Sequence, residues 1–161
     1  MLEPISYSNP SFTGYQHPLK TLFKQGKMPS VKYGIYGTPI DNHNVSLEHL
    51  KPHSKGGKTV WGNLALADRF CNTQRSSKPL SEVLSWKMLE QYLGQFNFRI
   101  KGAFDGYEYQ EQIKRTCRAQ GVKPSIEEEK LEHAEIMEKL PKKILRSIRN
   151  KMKKQKLDVT I

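Results

Sequence analysis

Cysteine is scarce in this chain: 161 residues hold two, Cys71 and Cys117. Two thiols build neither a disulfide framework nor a four-thiolate zinc site, so both are read as free. Long apolar runs are also missing. With 36% hydrophobic residues, no stretch approaches the ~20 residues that cross a bilayer, which excludes a membrane-spanning protein. The opening MLEPISYSNPSF has neither the basic start nor the apolar stretch of a secretory signal, and the chain is expected to be cytoplasmic. The third shortage is negative charge: 16 acidic residues face 27 basic ones, a formal net charge of +11. Phosphates attract such an excess and binding releases their counterions, so a polyanionic partner is the first reading.

The charge is unevenly placed. Residues 1–80 carry a net +6, residues 81–138 a net −3 and residues 139–161 a net +8. A length of this order suits one compact domain with a helical extension. Residues 1–30, rich in proline and aromatics (Tyr7, Phe12, Tyr15, Phe23), read as an irregular arm pinned by its rings. Val31–Tyr36 suits a short strand ended by Gly37 and Pro39, and a second strand runs through Val45, Leu47 and His49 into a glycine loop. A third strand follows at Asn63–Leu66, and Asp68 caps a helix to Arg75. Ser81 is expected to cap a helix carrying Leu84, Met88, Leu89 and Leu93. The alternation of Phe96, Phe98 and Ile100 predicts a strand over seven residues, closed by Gly102. Helices are expected over 107–120, 125–139 and 141–156, the second opened by a Ser125/Glu128 capping box and the last split off by Pro141. That last helix sets an apolar stripe of Ile144, Leu145, Ile148 and Met152 among lysines and arginines, and reads either as a phosphate-tracking surface or as a solvated basic face. The overall expectation is α+β.

One stretch carries chemistry. Residues 48–78 contain Glu48-His49, Pro52, Ser54, Gly56-Gly57, then Asn63-Leu64, then Cys71-Asn72 with Arg75; His49 and Asn63 are 14 apart, Asn63 and Asn72 nine. This order and spacing resemble the HNH endonucleases, a ββα-metal finger, in the version that ends on asparagine. The resemblance implies metal-dependent hydrolysis of DNA phosphodiesters, on double-stranded DNA, with His49 as general base. Glu48 and Asn72 would hold one divalent cation, Mg²⁺ first and Mn²⁺ next, as hard oxygen donors suit. Asn63 would be a scaffold residue that holds the ends of the glycine loop and orients the histidine. The products would be a 5′ phosphate and a 3′ hydroxyl. Arg75, Lys78, Lys55 and Lys58 are candidate phosphate contacts beside the finger, and Arg146 and Arg149 on the last helix. His43 and His53 are left out of the catalytic set. The four-residue spacing of His49 and His53 shares a face only on a helix, which Pro52 opposes.

Many HNH proteins also hold a structural zinc on four cysteines. The matching positions here are Tyr33, Tyr36, Asp68 and Cys71, so no structural zinc is expected. Aromatic packing by Tyr33, Tyr36, Trp61 and Phe70 would take over the ~10 kcal/mol or more that such a zinc gives to folding. The expected division is thus an arm (1–30), the finger (31–80) and a mainly helical region (81–161). A basic accessory protein with an inactive finger, and a ribonuclease or toxin of the same fold, are the competing readings. Oligomeric state, sequence preference and biological role (homing, phage or restriction) are left open.

Overall fold

The computed structural model describes residues 17–159, apart from the side chains of Leu145, Met152 and 154–159. The rings expected to pin residues 1–16, and part of the apolar stripe of the last helix, lie outside the described residues. The break between compact units falls after Lys123.

In the first unit, helix α1 (Pro18–Lys24) stands where an irregular arm was expected. Pro18 has its φ preset for the first helical position, and His17 caps the helix by accepting from Leu19 N at 3.1 Å. Leu19 and Leu22 then face the core. Val31–Tyr36 is not a strand. Its backbone turns at Gly34–Gly37, leaving a single bridge between Tyr33 and Pro39. The reason is proximity: a Cβ on Gly34 would lie 2.8 Å from Ala67 Cα, and Ile35 N donates to Leu66 O at 2.8 Å. The turn is thereby laid across a strand edge rather than along it.

Strands β1 (Val45–His49) and β2 (Leu64–Asp68) pair antiparallel, with Leu47 opposite Leu66, Glu48 opposite Ala65 and His49 opposite Leu64. Helix α2 (Arg69–Arg75) follows directly, Asp68 accepting from Phe70 N at 3.3 Å. This is the ββα arrangement. The expected single helix after Pro79 is two, α3 (Leu80–Val83) and α4 (Trp86–Leu93), because Leu84 and Ser85 are extended and Ser85, not Ser81, caps the longer one. The seven-residue strand shrinks to β3 (Arg99–Ile100), paired with β4 (Phe104–Asp105). Phe96 sits instead in a 3-10 turn, its ring 5.0 Å from those of both Tyr92 and Tyr109. Helix α5 (Gly106–Ala119) is capped by Asp105.

Helices α4 and α5 close over the free edge of β2. Leu66 N donates to the Tyr92 hydroxyl (2.9 Å), the Tyr92 and Tyr109 hydroxyls meet at 2.8 Å, and Tyr109 donates to Leu64 O at 2.8 Å. A two-stranded sheet otherwise leaves such groups bare. Burial pushes both phenols well above their ordinary range, so they act as neutral donors. Cys117 lies in the same core, its thiol raised to about 12 by burial, an unreactive thiol at neutral pH.

The second unit holds α6 (Ile126–Glu138), opened by the Ser125/Glu128 capping box with three glutamates in its first turn, and α7 (Lys142–Val159). Both termini of that division match the Ser125 and Pro141 signals.

Removing the Tyr109 hydroxyl orphans the buried Leu64 carbonyl. Tyr109→Phe should cost about 1–3 kcal/mol in urea unfolding, whereas Tyr107→Phe on the exposed face of the same helix should stay within about 0.5 kcal/mol of the wild type.

Candidate active site

The chain from Leu50 to Asn63 leaves β1 and returns to β2 as a loop with two short 3-10 turns, His53–Lys55 and Trp61–Asn63. Asn63, 6% exposed, closes it. Its Oδ1 accepts from Lys51 N at 2.8 Å, and its Nδ2 donates to Lys51 O (3.1 Å) and Lys58 O (2.9 Å). One amide therefore holds both ends of the glycine stretch. Gly57 is there for space: a Cβ would fall 1.8 Å from Lys51 O. From the other side, Thr116 of α5 donates to Gly62 O at 2.6 Å, tying the loop to the helical part of the unit.

His49 ends β1 beneath this loop, half-buried. One ring nitrogen, Nε2, lies 2.9 Å from Thr59 Oγ1, and the ring of His53 is 6.1 Å away, edge-on. Burial first, and the neighbouring His53 second, push the His49 imidazole below its ordinary value. At neutral pH it is the neutral ring, the form that accepts a proton. His17 is nearby, buried against Trp61 with ring centroids 4.6 Å apart, and is likewise lowered by burial and then by His49.

Glu48 points the other way along the strand, toward α2, and is 5% exposed. Tyr36 donates to its Oε2 at 2.6 Å, and Arg75 Nη1 stands 3.5 Å from its Oε1. Burial raises the carboxyl from its ordinary value; the Tyr36 hydrogen bond and the Arg75 charge work against that shift. Ser46 shares this face of β1, being two residues away. Asn72 of α2 donates through Nδ2 to Ser46 Oγ (3.1 Å) and Leu47 O (2.9 Å). Both contacts use the amide nitrogen, which fixes the amide and leaves its oxygen with ligand capacity.

Arg75 departs from its expected role at a phosphate. It is 3% exposed, and its guanidinium donates to His49 O (2.8 Å), Leu50 O (3.0 Å) and Lys78 O (3.0 Å). It is an internal clamp. Lys55, Lys58 and Lys78 are exposed around the loop, Lys55 reaching Ser77 O at 3.5 Å. Arg146 and Arg149 are exposed on α7 in the second unit. Of the four positions compared with zinc thiolates, Cys71 and Asp68 meet: Cys71 Sγ donates to Asp68 Oδ2 at 3.7 Å and lies 3.6 Å from Thr38 Oγ1. The expected aromatic packing is half right. Trp61 packs between His17 and Phe104, but Tyr33 is 51% and Phe70 67% exposed, and Tyr36 contributes its hydroxyl. Tyr36 and Thr59 as partners of Glu48 and His49, and His17 as a neighbour of His49, were not legible from the residues alone; the placement of Tyr36 at a thiolate position was the one available signal.

The ββα frame, with a loop-closing asparagine, a strand-end histidine and a helix-borne asparagine, falls in a segment that comparison with known families recognises. Residues 37–78 match the HNH endonuclease family. The HNH segment covers roughly a quarter of the chain and includes Tyr36's partner Glu48, His49, Asn63, Asn72 and Arg75. No curated protein and no solved structure matches the chain. Among the described residues no three His, Cys, Asp or Glu side chains cluster to hold a metal. Between β1 and α2 the HNH segment offers the Glu48 carboxylate and the Asn72 amide oxygen instead, a hard donor set that fits Mg²⁺ or Mn²⁺ completed by water and phosphate oxygens. No helix among the described residues is long and apolar enough to cross a membrane.

Asn63→Ala should lower stability by about 2 kcal/mol through the unpaired backbone groups of residues 51 and 58, and should raise hydrogen exchange selectively across 51–63 while leaving α5 protected, as amide exchange by mass spectrometry would read.

Proposed function

We propose that the HNH segment cleaves DNA by metal-dependent hydrolysis, on double-stranded substrate, leaving a 5′ phosphate and a 3′ hydroxyl. The observation that carries this reading is the pair of fixed side chains flanking the end of β1. A neutral, half-buried His49 is held at the strand end with one ring nitrogen against Thr59, and Asn72 is tied to the same strand by its amide nitrogen. Glu48 and the Asn72 oxygen are the groups that would hold a divalent cation, Mg²⁺ or Mn²⁺. Bound there, the cation would neutralise charge on the phosphate and on the departing 3′ oxygen.

The remaining work falls to the chain. His49 takes the proton from the attacking water, which its neutral state permits. Asn63 and Gly57 keep the loop from sagging onto that ring by closing it on Lys51 and Lys58. Lys55, Lys58 and Lys78, exposed around the loop, bind backbone phosphates on either side of the cleaved bond. Arg146 and Arg149 belong to a cationic helix in the stretch 139–161, which carries a net +8, and they add sequence-independent affinity. Neutral imidazole, hard oxygen donors and surrounding lysines suit a phosphodiester substrate, and together favour cleavage over a purely binding role.

Supercoiled plasmid nicking tests this directly. The wild type should nick with Mg²⁺ or Mn²⁺ and stop in EDTA. His49→Ala should lose about 10²- to 10⁴-fold in rate while its DNA affinity, read by fluorescence anisotropy, stays within about twofold. Wild-type protein that binds DNA but cleaves with neither cation would instead assign an accessory role, and preferential cleavage of RNA would move the substrate class.

A further inference from the structure

Tyr36 has a hydroxyl committed to the one carboxylate of the HNH site, and nothing in the turn that carries it needs that bond. The turn has its own anchors. Ile35 N donates to Leu66 O at 2.8 Å, and Gly34 N to Thr38 O at 2.9 Å. The Gln95 amide grips the segment just before it, accepting from Lys32 N (2.8 Å) and Tyr33 N (2.9 Å) and donating to Tyr33 O (2.9 Å). The Tyr36 hydroxyl is therefore free to serve Glu48.

Nor can Arg75 aim that carboxylate alone. Its Nε, Nη1 and Nη2 each donate to a backbone carbonyl, which fixes where the guanidinium lies, and from there the approach of Nη1 to Glu48 Oε1, at 3.5 Å, is longer than a good hydrogen bond. The Tyr36 contact, at 2.6 Å, lies in the short range of a hydroxyl on an ionised carboxylate. A carboxylate has about four lone-pair sites. Tyr36 on Oε2 and Arg75 beside Oε1 take one such site on each oxygen and leave the others for a ligand.

We propose that Tyr36 is a positioning residue of the HNH site, holding the Glu48 carboxylate by one oxygen so that its remaining lone pairs meet the cation. This rests on the reading of Glu48 as a metal ligand. The role is that of an outer-shell partner, which fixes a ligand's orientation without touching the metal. A tyrosine supplies it because its ring spans from the Gly34–Gly37 turn to β1 and brings a hydroxyl to the carboxylate.

The test uses the full chain and Mn²⁺ alone, by calorimetry, with DNA affinity in EDTA measured alongside. Tyr36→Phe should weaken Mn²⁺ binding about tenfold or more, the size typical of losing an outer-shell partner. DNA affinity in EDTA should stay within about twofold of the wild type. Unchanged Mn²⁺ affinity in Tyr36→Phe overturns the proposal, and so does a loss of Mn²⁺ and DNA affinity together, which marks a structural lesion. If the variant is less stable, the Mn²⁺-induced rise in its melting temperature is the reading: a smaller rise than in the wild type supports the role and an equal rise overturns it. Glu48→Gln separates the two levels. Wild-type Mn²⁺ affinity in Glu48→Gln removes Glu48 as a ligand and the proposal with it, whereas a loss there beside an unaffected Tyr36→Phe removes only the role of Tyr36.

Discussion

The guanidinium of Arg75 has almost no access to water, and much of the site is arranged around it. A buried cation is costly unless its donors are met and its charge is balanced. Three carbonyls, from His49, Leu50 and Lys78, and the Glu48 carboxylate meet those demands. Each partner belongs to something the site needs fixed: the end of β1 where the histidine stands, the start of the loop, the exit from α2, and the carboxylate. Because α2 also carries Asn72, the same ion settles how far that helix lies from the strand. The ββα frame is in this sense held together from inside by one polar centre, and the residues facing outward inherit its geometry.

Around that centre the supports come from different parts of the chain. Asn63 closes the loop, α5 braces it through Thr116, the turn at Gly34–Gly37 delivers Tyr36, and the Tyr92–Tyr109 hydroxyl pair seals the back edge of β2. The segment 37–78 is thus embedded in a larger unit reaching Lys123, so the helices after Pro79 are part of the scaffold. The charge is concentrated in two places: lysines are exposed around the loop, and the densest basic stretch is α7, which shares the second unit with the acidic α6.

Much of this was legible in the residues. Local signals with a single physical meaning read through: Asp68 as a cap, the Ser125/Glu128 box, Pro141 as a break, alternation through Val45–His49. The spacing of His49, Asn63 and Asn72 carried the likeness of residues 37–78 to the HNH endonucleases. What failed depended on neighbours far along the chain. Val31–Tyr36 has strand-like composition, but Gly34 must pass against Ala67 and the backbone turns instead. Phe96, Phe98 and Ile100 alternate, yet Phe96 is claimed by the ring cluster of Tyr92 and Tyr109. Arg75 sits one turn after Asn72, which is equally right for a phosphate contact and for an inward clamp. Only the carbonyls of residues 49 and 50, more than twenty positions earlier, distinguish the two. Phe70 and Tyr33 were assigned to packing by their type and are exposed.

The unfolding free energy of Arg75→Gln tests the central claim most directly, because an inward clamp and a surface phosphate contact differ there by a wide margin. Arg75→Gln should lose about 3–5 kcal/mol in urea unfolding without any DNA present, the cost of leaving a buried carboxylate and three carbonyls without their partner. A stability within about 0.5 kcal/mol of the wild type would contradict the inward clamp and return Arg75 to the surface.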